Sequence, residues 1–122
     1  MRRSQIAKII DDLVWFWRET TRMSAARINK GSCVDFANDL AKEIPGAVVC
    51  FNYQYPHAYV SYKGRHYDSE TPYGVRRVTD LPCIRRMIKE ERLTNDRAHG
   101  TSNQTQVGNS NVHPRQESRC RG

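Results

Sequence analysis

Two stretches decide the predicted fold, GSCVDFA at residues 31–37 and PHAYVSYKGRHYDSE at residues 56–70. In the first stretch, turn residues precede an amphipathic pattern, so a helix is predicted to begin at Cys33. In the second stretch, Lys63-Gly64 is a two-residue turn signal between two runs of strand-forming residues, which predicts a β-hairpin. The two stretches together supply a thiol, an imidazole and a carboxylate, the residue set that an activated thiol nucleophile needs.

The turn at residues 63–64 also predicts which side chains are neighbours. A two-residue loop pairs Tyr59 with Asp68 and His57 with Glu70, and side chains two apart along a strand share a face of the sheet. Glu70 is then directly opposite His57. Asp68 is the diagonal neighbour of His57, with about 7 to 8 Å between the two Cα atoms. The hairpin register therefore leaves both carboxylates open as partners of the histidine.

The predicted helix start gives Cys33 a special environment. Backbone N–H groups without intrahelical partners and the positive end of the helix dipole favour a thiolate at this position. The same amides can hold an oxyanion. The alternative is a structural role, because cysteine is among the most frequently buried residues and Cys33 lies on the apolar face of the helix.

The remaining pattern predicts a single α+β domain. An apolar stripe predicts an N-terminal helix over residues 5–22, and a short apolar run at residues 47–51 predicts a central strand. A C-terminal helix is predicted from Asp80 to about Leu93. The expected domain, residues 1–92, packs the cysteine helix on an antiparallel sheet of three or four strands. Residues 93–122 are too polar to offset their ordering entropy and are predicted to form a disordered tail.

Composition bounds the environment and the partners. The formal net charge of +7 favours nucleic acid, an anionic surface or an acidic protein as a partner without choosing among them. No signal peptide and no membrane span are expected, so the predicted location is cytoplasmic. The four cysteines, at positions 33, 50, 83 and 120, show no CxxC spacing and are predicted to be reduced thiols.

The residues around the cysteine and the hairpin resemble a known superfamily. Gly-Ser-Cys at a helix start, then His-Ala-Tyr-Val on a strand and Tyr-Asp-Ser-Glu after a hairpin, is similar to the Cys-His-Asp core of transglutaminase-like and papain-like cysteine peptidases. The resemblance covers about forty residues and implies that Cys33 is the nucleophile, His57 the general base and Asp68 the residue that orients the imidazole. The chain departs from the pattern in the short spacing between Cys33 and His57 and in Tyr59, where tryptophan is commoner.

The expected activity is a thiol-dependent hydrolase or acyl transferase acting on an amide bond of a peptide, isopeptide or peptidoglycan substrate. Tyr59 and Glu70, on the face predicted for His57, are candidate binding residues. The alternative is a catalytically inactive domain of the same fold that binds an acidic protein or nucleic acid through a basic patch of Arg76, Arg77, Arg85 and Arg86. No metal or other cofactor is expected, because the Cys and His residues lack the close paired spacing of zinc sites.

Overall fold

The computed structural model describes residues 1–98 and 118–121 and confirms the α+β class. Four antiparallel strands form one sheet in the order β3-β2-β1-β4. The strands are β1 (Val48–Asn52), β2 (His57–Tyr62), β3 (Arg65–Tyr67) and β4 (Ser118–Arg121), and the helices are α1 (Arg3–Thr21), α2 (Ala25–Ile28), α3 (Cys33–Glu43), a 3-10 turn (Val78–Asp80) and α4 (Pro82–Ala98).

Helices cover both faces of the sheet. On one face, Ala58 and Val60 pack with the apolar stripes of α1 and α3, and on the other, Tyr59 packs with Leu81 and Ile84 around α4. Side chains alternate between the faces along a strand, so covering both faces buries consecutive residues of β2. The first four residues of β2, including His57, are buried as a result.

The predicted hairpin register is confirmed, but the hairpin is shorter than expected. Tyr62 pairs with Arg65, and pairing ends at Val60 with Tyr67. The predicted pairs of Tyr59 with Asp68 and of His57 with Glu70 are wrong, because the chain turns at Asp68. The side chain of Asp68 accepts a hydrogen bond from the Glu70 N–H at 2.9 Å, and its carbonyl accepts one from the Thr71 N–H at 3.1 Å. Such side-chain-to-backbone bonds compete with a strand ladder.

Two segments hold more regular structure than the sequence pattern indicated. Residues 23–32, interpreted as a connector, contain the one-turn helix α2, which Ser24 caps by accepting a hydrogen bond from the Arg27 N–H at 3.2 Å. Helix α4 continues past Leu93 to Ala98. None of the helices within residues 1–98 is long and apolar enough to cross a membrane.

The predicted tail is also structured at its far end. Strand β4 pairs with β1, and Cys120 lies opposite Cys50 and forms a disulfide with it. The prediction that all four cysteines are reduced is therefore wrong for this pair, whereas Cys33 and Cys83 are free. A bridge across a sequence separation of 70 residues typically stabilises a fold by about 2 to 4 kcal/mol. The rest of the predicted disordered tail, residues 99–117 and 122, lies outside the described residues.

Gly74 is the glycine on which the end of the hairpin depends. It has φ +75°, and a Cβ at this position would lie 2.7 Å from the Tyr67 ring. We expect Gly74→Ala to lower the free energy of unfolding by about 2 to 4 kcal/mol, because it combines a left-handed backbone with overpacking. Urea unfolding of the variant and of the unmodified protein measures this decrease in the free energy of unfolding.

Gly31→Ala is the matched control, since nothing lies within 4 Å of a Cβ there and its backbone is not left-handed. A change of at most about 0.5 kcal/mol is expected for it. Equal midpoints and slopes for the two variants would contradict the proposed role of Gly74.

Candidate active site

Cys33 is the first residue of α3, as the sequence predicted. Ser32 precedes it, and the Ser32 carbonyl accepts the first helical hydrogen bond, from the Phe36 N–H at 3.0 Å. The Cys33 side chain is partly exposed, and its sulfur accepts a hydrogen bond from the Ala58 N–H of β2 at 3.4 Å. The contact attaches the start of the helix to the beginning of the strand that carries the histidine.

His57 and Asp68 form a buried pair. The His57 Nε2 and the Asp68 Oδ2 are 2.8 Å apart, and the exposed fractions of the two side chains are 0 and 2%. Nε2 therefore donates its proton to the carboxylate, because an ionised carboxylate only accepts. This bond selects the tautomer of the neutral imidazole and fixes the plane of the ring.

Asp68 is itself held by its own turn. Its Oδ1 accepts hydrogen bonds from the Thr71 hydroxyl and, at 2.9 Å, from the Glu70 N–H. Together with His57, these donors satisfy a carboxylate that would otherwise be costly to bury. Thr71 was missed at the sequence level, although its position three residues after an aspartate is typical of such turns.

The other ring nitrogen of His57, Nδ1, does not contact Asp68 and is the one that can exchange a proton with the Cys33 thiol. It is buried and makes no hydrogen bond of ordinary geometry within the described residues. The imidazole and the Cys33 thiol are nevertheless close enough for each to shift the pKa of the other. Catalytic contacts are often long in the free enzyme and tighten when substrate binds.

The pKa values of the two groups move in the directions that favour an ion pair. Burial alone would raise the pKa of Cys33, but interactions with His57 and with the Ala58 N–H outweigh it and hold that pKa below its ordinary value. Burial would lower the pKa of His57, but Asp68, Cys33 and Cys83 together raise it to about 11. A thiolate beside an imidazolium is the reactive form of a cysteine nucleophile.

Glu70, the second carboxylate left open by the hairpin register, does not contact His57. It accepts hydrogen bonds from the Asn29 side chain at 2.8 Å and from both terminal nitrogens of Arg86 at 2.9 and 3.1 Å. The bidentate pair with Arg86 ties the Asp68 turn to α4, and the hydrogen bond from Asn29 ties it to the segment after α2. Glu70 therefore braces the Asp68 turn instead of pairing with His57.

Tyr59 does not face a binding surface, contrary to its predicted role. Its side chain is 1% exposed and lies between two imidazoles, with ring centroids 6.4 Å from His57 and 5.3 Å from His66. The tyrosine fills the space behind His57 on the α4 side of the sheet. It supports the histidine by packing.

Three of the four predicted patch arginines lie near one another. Arg77 and Arg85 both pair with Asp80, at 3.4 and 3.1 Å, and Arg86 pairs with Glu70. A surface depression of about 650 Å³ lies among the side chains of Arg77, Asp80, Arg85, Arg86, Lys89 and Arg92. Arg76 is not among the described residues that line it.

Cys83 is a second thiol near the triad that sequence reasoning did not assign to the site. It is buried near the start of α4, and its Sγ donates to the Asn29 carbonyl at 3.6 Å. It also contributes to the raised pKa of His57. No local sequence signal identifies this neighbour, because the contact joins residues far apart in the chain. Among the described residues, no group of three or more His, Cys, Asp or Glu side chains is arranged to hold a metal ion.

Comparison of the chain with protein-family models, with curated proteins and with solved structures finds no match.

The different contacts of Asp68 and Glu70 predict different effects on the thiol. Asp68→Asn removes the charge that stabilises the imidazolium and should lower the pKa of His57 by about one to three units. The pKa of Cys33 should then rise, because a neutral imidazole no longer favours the thiolate. The rate of carboxamidomethylation of Cys33 by iodoacetamide, followed from pH 4 to 10 by intact-protein mass spectrometry, measures this shift.

Glu70→Gln is the matched control. It removes a carboxylate that lies two residues after Asp68 in the sequence and does not contact His57. Its pH profile should overlay that of the unmodified protein. A profile displaced by Glu70→Gln but not by Asp68→Asn would make Glu70 the partner of His57. Circular dichroism of both variants checks that they fold.

Proposed function

We propose that the protein is a cysteine-dependent hydrolase or acyl transferase that acts on an amide bond of a peptide, isopeptide or peptidoglycan substrate. The observation that carries the proposal is a partly exposed thiol at a helix start, in electrostatic contact with a buried histidine whose other nitrogen is 2.8 Å from an aspartate. The resemblance of these residues to the transglutaminase-like and papain-like core supports the same assignment.

In the proposed reaction, the Cys33 thiolate attacks the carbonyl carbon, and the carbonyl electron pair moves onto oxygen. Backbone N–H groups at the start of α3 stabilise this oxyanion. When the tetrahedral intermediate collapses, the C–N bond breaks and the leaving amine takes the proton from Nδ1 of His57. The products of this step are a free amine and a thioester at Cys33.

The second half of the reaction regenerates the thiolate beside the imidazolium. His57 removes a proton from water or from an acceptor amine, which attacks the thioester carbonyl carbon. The C–S bond then breaks, Cys33 leaves as the thiolate, and an acid or a new amide is released. Asp68 keeps the Nε2 proton throughout and stabilises the imidazolium each time it forms.

The proposal predicts that Cys33 is more reactive than an ordinary thiol at low pH. At pH 6 a thiol of ordinary pKa near 8.5 is less than about 1% ionised, so Cys33 should react with iodoacetamide at least about tenfold faster than glutathione. His57→Ala should abolish the advantage, because burial without the imidazolium raises the pKa of the thiol.

Rates are measured by intact-protein mass spectrometry, and peptide mapping separates labelling at Cys33 from labelling at the buried Cys83. Tyr59→Phe is the control for packing beside His57, since it keeps the ring and removes only the hydroxyl. Labelling of Cys33 no faster than glutathione, or unaffected by His57→Ala, would contradict the proposal.

The second candidate function is binding of an acidic protein or nucleic acid by the depression beside α4. Its support is the concentration of Arg77, Arg85, Arg86, Lys89 and Arg92 around one acidic side chain. Phosphate recognition by such a surface weakens with salt and with each cation removed.

We expect the Arg85→Gln, Lys89→Gln variant to bind a fluorescent oligonucleotide at least about threefold more weakly in anisotropy titrations, whereas Cys33→Ser should have no effect. An oligonucleotide affinity that the double variant leaves unchanged would remove nucleic acid as the partner. The cytoplasmic location inferred from the sequence stays a prediction, and the Cys50–Cys120 disulfide is of a kind that oxidising compartments favour.

A further inference from the structure

A groove lies next to the first turn of α3, where Val34 lines it directly after the candidate nucleophile Cys33. Its volume is about 410 Å³, and it runs between α3, β1 and β4 on the sheet face opposite α4. Val34 and Asn38 of α3 form one wall, Val49 and Phe51 of β1 the floor, and Arg119 and Arg121 of β4 the other wall. Strand β4 creates this groove, because it extends the sheet beyond the strands that α3 covers.

Cys33 does not itself line the groove, but two residues that do line it adjoin Cys33. Val34 directly follows Cys33 in the helix, and Ala58, which also lines the groove, donates its N–H to the Cys33 sulfur at 3.4 Å. Phe51 pairs with Ala58 and is therefore level with this contact. Val49 lines the groove two residues away on one side of Phe51, and Tyr53 lines it on the other side. A chain bound along Arg119 and Arg121 therefore extends from the level of Cys33 toward Val49.

The charged side chains that line the groove are cationic. Arg119 and Arg121 line it, and Lys42 joins Arg121 in a shallower continuation of the groove along α3. Among the described residues, no Asp or Glu lines either part. Apolar side chains form the floor, so the groove combines an apolar base with one positively charged wall.

The two arginines have a regular spacing. Arg119 pairs with Phe51 and Arg121 with Val49, so both side chains are on the groove face of β4, two residues apart. Two residues of a strand span about 6.6 Å, which is also the distance between alternate side chains of an extended peptide. Guanidinium groups bind carboxylates in bidentate geometry, which gives such a wall a preference for Asp and Glu over neutral amides.

We infer that this groove binds the substrate as an extended peptide with acidic side chains at alternate positions on one side of the scissile amide. The inference rests on the proposed function, and it names the class of substrate that the Cys33 site takes. The disulfide of Cys50 with Cys120 holds the residue between the two arginines against β1. It thereby fixes the register of the cationic wall relative to the thiol.

Equilibrium binding tests the groove without catalysis. Three fluorescein-labelled peptides, ADADA, AADDA and ANANA, are titrated with the full chain carrying Cys33→Ser, and anisotropy reports their affinities. ADADA should bind about tenfold more tightly than the neutral ANANA and about threefold more tightly than AADDA, which has the same charge at adjacent positions. Equal affinities for ADADA and ANANA would overturn the inference.

Charge-matched variants separate the groove from the general attraction of a basic protein. Arg119→Gln with Arg121→Gln should remove the preference for ADADA, whereas Arg18→Gln with Arg27→Gln removes the same charge from exposed positions of α1 and α2 and should keep it. An equal loss of the preference for ADADA in both double variants would also overturn the inference. Intact mass confirms that the disulfide is present in each variant.

A reactivity experiment places the bound peptide relative to the thiol. Chloroacetyl groups are attached to either end of ADADA and ANANA, and the rate of alkylation at Cys33 is compared with that of iodoacetamide. The acidic peptide is expected to alkylate Cys33 faster than the neutral peptide in one of the two orientations. If it is faster in neither orientation, the inference is contradicted. A thiol that is unreactive even toward iodoacetamide refutes the proposed function instead, while the anisotropy result still decides whether the groove binds acidic peptides.

Discussion

The buried hydrogen bond between His57 and Asp68 is the constraint on which the site and much of the fold depend. Moving a charged carboxylate out of water is unfavourable unless hydrogen bonds replace its hydration, and here His57, Thr71 and the Glu70 N–H do so. Breaking a buried pair by removing one partner typically costs about 3 to 5 kcal/mol. The turn after β3 therefore has one favourable conformation, and it is the one that presents Asp68 to the histidine.

His57 and Asp68 are buried because helices cover both faces of the sheet. Helices α1 and α3 cover one face and α4 covers the other, so β2 lies between two apolar layers. Tyr59 fills the layer behind the histidine, and the Arg86–Glu70 pair joins α4 to the Asp68 turn. The helix that closes the second core thus also stabilises the turn that carries Asp68.

The candidate site separates a buried histidine from a partly exposed thiol. Cys33 remains partly exposed because the first turn of α3 lies at the end of the sheet, where β2 begins. In the proposed reaction, His57 transfers protons within the site and the reacting carbonyl approaches from the groove side. Strand β4 contributes none of the residues Cys33, His57 and Asp68, yet it supplies the cationic wall of that groove, so the disulfide connects the C-terminal segment to the proposed substrate-binding surface.

The sequence by itself determined the local features: the helix that begins at Cys33, the two-residue turn at Lys63-Gly64 and the strand that begins at His57. Each depends on neighbours within a few residues, through helix termini, positive-φ turns and side-chain alternation. Only the tertiary structure decided between Asp68 and Glu70, because that choice depends on a turn after β3 and on Arg86, a residue of another helix. The Cys50–Cys120 pairing, the burial of Tyr59 and the groove beside Cys33 likewise depend on β4 or α4 packing against the sheet. Contacts between residues far apart in the chain leave no local pattern, and for that reason the sequence identified the candidate residues Cys33, His57 and Asp68 but not the surface that surrounds them.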